Sequence, residues 1–98
     1  MIPGAPESEI REILGIINKH LPRAKVCAFG SRAAGNHKPS SDLDICVDAG
    51  RKITLEESAL IKRALDETDL PYRVDIIDRA AVDAKFLEII KKTEVILG

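Results

Sequence analysis

Two carboxylates, Asp42 and Asp44, stand two residues apart in the run Ser41-Asp42-Leu43-Asp44-Ile45. On an extended strand they project from one face, with Cα atoms about 6.5–7 Å apart. Oxygens at that separation converge on one hard cation or bracket two. A third acid, Asp75, lies in the run Val74-Asp75-Ile76-Ile77, on the face opposite Val74 and Ile76. If its strand adjoins the first, three acids share one small surface. Like charges that close resist ionising together unless a divalent metal compensates them. Asp42, Asp44 and Asp75 therefore read as a Mg2+ site and as the catalytic group.

The stretch Gly30-Ser31-Arg32-Ala33-Ala34-Gly35 supplies the other half. Glycine lets backbone N–H groups approach phosphate oxygens, and a short helix after it presents its positive end there. Ser31 adds a hydroxyl and Arg32 a planar cation able to fork onto a phosphate. Gly30, Ser31, Arg32 and Ser41 are thus the candidate nucleotide-binding residues. Acids that hold Mg2+ beside a turn that holds a triphosphate describe in-line transfer at phosphorus.

Each signal alone has an ordinary reading: a flexible turn, a solvated strand face, an exposed acid on an open sheet. The functional reading rests on their joint spacing and matching face parity. Asp48 and Asp78 read as strand-end or capping acids, and His20 as a partner of a helix dipole. His37 and Lys38 read as solvated loop residues, Tyr72 as a packing residue.

The elements that must position these groups follow from the pattern. Residues 1–6 read as a frayed lead-in. Ile10, Ile13, Leu14, Ile17 and Leu21 mark one apolar helical stripe starting at about Glu7 and stopped by Pro22. Residues 24–29 form a mostly buried strand ending at Gly30, and residues 32–34 one helical turn closed by Gly35. Residues 43–47 form a second strand. Thr54 and Glu57 make a capping box for a helix to about Thr68, with Leu60, Ile61, Ala64 and Leu65 inward. Residues 72–78 form a third strand, and Asp78 caps a last helix over 83–92 with Val82, Phe86, Leu87 and Ile90 on its core side. Val95-Ile96-Leu97 is a short apolar tail that docks on the sheet or meets a partner. The order α, β, β, α, β, α predicts an α+β domain over 1–98. Its mixed sheet has about three to four strands with helices packed on one face, leaving the carboxylates on the other.

Composition narrows the class. Ninety-eight residues allow one modest core, and with aromatics at 3% that core is built from Ile, Leu, Val and Ala. A net charge of −1 argues against a dedicated nucleic-acid binder. No run is long enough for a membrane span and no signal-peptide pattern opens the chain, so a cytoplasmic location is expected. Cys27 and Cys46 sit in apolar runs and read as small buried thiols.

The combination of Gly30-Ser31, then Asp42-Leu43-Asp44, then a single Asp75 on a later strand resembles the nucleotidyltransferase superfamily related to DNA polymerase β. Within it, Gly30-Ser31-Arg32-Ala33-Ala34-Gly35 and Ser41-Asp42-Leu43-Asp44-Ile45 resemble the minimal nucleotidyltransferases of prokaryotes over essentially the whole chain. Where many relatives carry a second basic residue, this chain has Ala34. The resemblance implies that Asp42 and Asp44 ligate Mg2+, that Asp75 completes the site and activates the attacking hydroxyl, and that Gly30 and Ser31 bind the triphosphate. It also implies ATP as donor, a helical HEPN RNase toxin as partner, and transfer of AMP to a tyrosine of that toxin, with this chain as antitoxin. Homo-oligomers and hetero-oligomers with the toxin stay open. Two alternatives remain at this point: an antitoxin that acts by binding alone, and a small-molecule nucleotidyltransferase of the aminoglycoside kind.

Overall fold

The computed structural model describes residues 2–98; Met1, counted above with the lead-in, lies outside them. Helix α1 spans Glu7–His20 and buries Ile10, Ile13 and Ile17, the stripe its periodicity marks. Glu7 and Glu9 lie in its first turn and Lys19 and His20 in its last, each sign at the end of the helix dipole that favours it. The segment before α1 is pinned rather than frayed. Ile2 and Ala5 are buried and bridge each other, and the Gly4 amide donates to the Arg32 carbonyl at 3.0 Å. Apolar side chains and a buried arginine partner hold the segment that the sequence marks as a frayed lead-in.

Strands β1 (Lys25–Phe29), β2 (Leu43–Asp48), β3 (Val74–Asp78) and β4 (Val95–Ile96) form one mixed sheet in the order β3-β2-β1-β4. β1 pairs antiparallel with both β2 and β4, and β2 pairs parallel with β3. The C-terminal tail is thus the fourth strand of the sheet. Between β1 and β2, α2 (Ser31–Ala34) makes a single turn closed by Gly35 at φ 89°. Helix α3 (Leu55–Asp66) carries the expected capping box, in which the Thr54 side chain and Glu57 exchange hydrogen bonds with each other's amides.

The two sheet faces differ. Val26 and Ala28 of β1 with Leu43, Ile45 and Val47 of β2 pack under α1 and α3, joined by Ile61 and Leu65. Leu60, expected inward, is 43% exposed, because the helical period can bury only one of the adjacent pair Leu60 and Ile61 fully. The other face carries Cys27, Phe29 and Cys46, covered by Ile90 and Phe86 of α4 (Ala84–Thr93). Helices therefore occupy both faces, not one: α4 shields the part of the carboxylate face nearest β4. Its cap is Asp83, which accepts from the Phe86 amide at 2.8 Å. Asp78 instead accepts from the Ile53 and Ala80 amides, tying the chain before α3 to the end of β3.

Candidate active site

The register fixes where the acids meet. Phe29 lies opposite Asp44 across β1 and β2, and Asp44 lies opposite Asp75 across β2 and β3. Asp42 stands two residues before Asp44, just outside β2, so all three carboxylates fall at one end of one sheet face. Asp44 is half-buried, while Asp42 and Asp75 are exposed. Burial, then the charges of Asp75 and Asp42, push the Asp44 carboxyl above the usual carboxylate range.

Gly30 follows Phe29 directly and adopts φ 79°, ψ −159°, a conformation open essentially to glycine alone. A Cβ there would collide with Asp44 Oδ2, so the carboxylate rests against the bare backbone of the turn. The N–H groups of Ser31, Arg32 and Ala33 open α2 and lack intrahelical acceptors, which leaves them free for phosphate oxygens beside the acids. The half-buried Ser31 stands at the same point.

A divalent ion fits this donor set: three hard oxygen donors on one face, with the Asp44 carboxyl raised by burial and by the charges of the other two, a cost that a cation would relieve. No three His, Cys, Asp or Glu side chains among the described residues form a ready-made cation cage, so the acids share a face without yet sharing a point. Asp75 also borders a groove of about 210 Å³ between α3 and β3, lined by Lys62, Asp66 and Arg73.

Arg32 has a different task from the one its motif suggests. It is buried and donates to the carbonyls of Gly4 (2.7 Å), Ser41 (2.8 Å) and Pro39 (3.2 Å). Its guanidinium stacks 4.3 Å from the Tyr72 ring centroid. With its donors spent on main chain, Arg32 clamps the loop leading to Asp42 against the N-terminal segment and leaves no fork for a phosphate. Ser41 belongs to the same clamp: its carbonyl receives Arg32, and its hydroxyl accepts from the Lys38 amide at 2.9 Å. Tyr72 donates to Glu9 at 2.7 Å, and burial with that bond drives its hydroxyl well above the usual range. It packs, as expected.

The two cysteines are free and buried, opposite each other across β1 and β2 on this same face, one same-face position beyond Phe29 and Asp44. They line a cavity of about 240 Å³ with Lys25, Arg79 and Glu94. Burial raises both thiols, so they are poor nucleophiles, in keeping with their reading as small hydrophobes.

The family model for the polymerase beta nucleotidyltransferase domain matches residues 11–98. The chain belongs to the polymerase β nucleotidyltransferase family. It is 36% identical over 89 residues to a Haemophilus influenzae protein named probable protein adenylyltransferase MntA, an alignment covering 91% of this chain and 78% of the relative. Among solved structures, a toxin–antitoxin complex with AMP-PNP superposes at TM-score 0.76 with 21% identity, over 91% of this chain and 72% of that one. A tri-AMPylated Shewanella oneidensis HEPN toxin in complex with its MNT antitoxin gives TM-score 0.67 and 18% identity, over 94% and 71%. At those identities the two structures speak for the shared fold.

In this nucleotidyltransferase the motifs locate the acids and the turn but not what holds the turn in place. The Gly30 amide donates to Thr93 Oγ1 at 2.8 Å, a contact between residues 63 apart in sequence. No local pattern marks a threonine at the end of an amphipathic helix for such a role.

Proposed function

We propose that this chain is a Mg2+-dependent adenylyltransferase that moves AMP from ATP to a tyrosine of a HEPN-type RNase toxin, acting as that toxin's antitoxin in the cytoplasm. The observation that carries the reading is the alignment of Asp44 with Asp75, with the Gly30 turn resting on Asp44. The likeness to MntA points the same way and supplies the protein acceptor. Residues 1–98 then act as one catalytic domain.

Asp42 and Asp44 would hold Mg2+, with Asp75 completing the set. The bound metal supplies charge neutralisation and orientation of the phosphates. The free amides at the start of α2 and the Ser31 hydroxyl bind the triphosphate oxygens. Asp75, exposed beside Asp44 on the carboxylate face, takes the proton from the acceptor hydroxyl as its oxygen attacks the α-phosphorus. The new P–O bond forms as the bond to the β-phosphate oxygen breaks, and pyrophosphate leaves. An AMP group on the toxin adds negative charge and bulk, which disables an RNase site as phosphorylation would.

The test is the intact mass of a HEPN-type partner after incubation with this chain, ATP and Mg2+. A gain in AMP units is expected, absent with the Asp42→Asn/Asp44→Asn double variant. Tight complex formation and neutralisation without any gain in mass would replace catalysis with neutralisation by binding alone.

A further inference from the structure

We infer that Thr93 is a positioning residue for the nucleotide turn: its hydroxyl completes the hydrogen bonding of β1 at Gly30 and so sets the amides of Ser31, Arg32 and Ala33. The inference rests on the proposal that those amides hold the triphosphate of ATP. Its geometric basis is independent of that reading.

The β1–β4 ladder pairs Cys27 with Ile96 and Ala28 with Val95. Continued by two residues, the same antiparallel register sets Gly30 opposite Thr93. Backbone groups alternate sides along a strand, and those of Val26 face β4: its amide donates to Gly98 O at 2.8 Å and its carbonyl accepts from Leu97 N at 2.8 Å. The Gly30 amide therefore also faces the β4 side. Thr93, however, is still the last residue of α4, and its backbone is not extended. The Thr93 side-chain oxygen takes the place of a ladder carbonyl, and the Gly30 amide donates to it.

Thr93 is rigidly delivered. Ile90, one turn earlier, is fully buried against the sheet. Glu94, the next residue, meets Arg79 at 3.5 Å, and Val95 begins β4. The bond orients the peptide between Phe29 and Gly30, at the point where the backbone turns into the glycine-only conformation that lies against Asp44 and leads into α2. Losing it frees a part-buried amide and lets the turn sample other orientations. The cost should fall on nucleotide binding rather than on the chemical step.

The experiment uses the full chain, with AMP-PNP and Mg2+ as the binding probe, and compares wild type, Thr93→Val and Thr93→Ser. Thr93→Val, which keeps shape and removes the acceptor, should weaken AMP-PNP binding about three- to tenfold, the range a single net hydrogen bond gives. Hydrogen exchange at the Gly30 amide should quicken in the same variant, and KM for ATP should rise with kcat at saturating ATP little changed. Thr93→Ser, which restores the oxygen, should return all three to within about twofold of wild type. If Thr93→Val does not fold, Thr93→Ala removes the same oxygen with less to pack and takes its place. Unchanged affinity for AMP-PNP in the oxygen-free variant, or a Gly30 amide that exchanges freely in wild type, would overturn the inference. Failure of wild type itself to bind AMP-PNP, with Gly30 still protected, would overturn the nucleotide reading of the turn and this inference with it.

Discussion

At Asp44, burial and the neighbouring charges of Asp75 and Asp42 act in one direction, each favouring the neutral carboxyl. Because its folded-state value lies above its ordinary one, ionised Asp44 penalises the fold at neutral pH. That penalty is relieved as pH falls through the folded-state value toward the ordinary carboxylate range. Asp44→Asn should therefore raise Tm of the metal-free protein by roughly 2–4 °C at pH 7, what ~0.5 kcal/mol gives in a domain this small. The gain should shrink on acidification, and calorimetry in EDTA across pH checks it. Added Mg2+ should raise the wild-type Tm but not the variant's, and AMP transfer by the variant should fall more than about 100-fold. Arg32 separates a clamp from a phosphate ligand. Arg32→Met leaves the Gly4 and Ser41 carbonyls without their donors and should cost about 2–4 kcal/mol in denaturant unfolding. A phosphate-binding arginine would instead spare stability and lose only affinity for AMP-PNP.

At the scale of elements, α3 shows how much local sequence can specify. Its capping box joins residues three apart, so Thr54 and Glu57 announce it without any tertiary information. Thr54→Ala should cost about 1 kcal/mol and lower Tm by roughly 4–8 °C, with kcat unchanged at temperatures where the variant stays folded. Glu57 accepts two bonds from Arg51, and that contact with the Thr54 amide holds its carboxyl down at about 2 from an ordinary 4.5. The stabilisation it gives is complete above its ordinary value and is lost as pH falls from there toward about 2. Glu57→Gln should flatten the Tm–pH curve in that window alone, as thermal melts at stepped pH would report. By the same token α1, α3 and the three longer strands β1, β2 and β3 are legible from periodicity and punctuation. The segment before α1 is not, since Gly4 is held by Arg32, a residue no local window contains.

At the scale of the whole molecule, the sheet order decides which acids meet. β2 lies between β1 and β3, so one central strand places Asp44 beside both the Gly30 turn and Asp75. The tail completes this arrangement as an edge strand, and its two faces have opposite fates: Leu97 is buried and Ile96 is 76% exposed. Leu97→Ala should therefore cost about 2–4 kcal/mol in chemical unfolding, and Ile96→Ala no more than about 0.5 kcal/mol. Equal losses would mean that the tail does not dock as β4.

The candidate set of Asp42, Asp44, Asp75 and the Gly30-Ser31 turn is readable along the chain, because side-chain type and the two-residue strand period are local properties. The sequence by itself also marked the helices and strands, whose apolar spacing is written along the chain. Only the tertiary structure decided that α4 covers part of the carboxylate face, that Arg32 is spent on carbonyls, and that Thr93 holds the Gly30 amide. These are contacts between residues distant in sequence, and a hydrogen bond forms wherever folding brings donor and acceptor together, leaving no periodic trace in the chain.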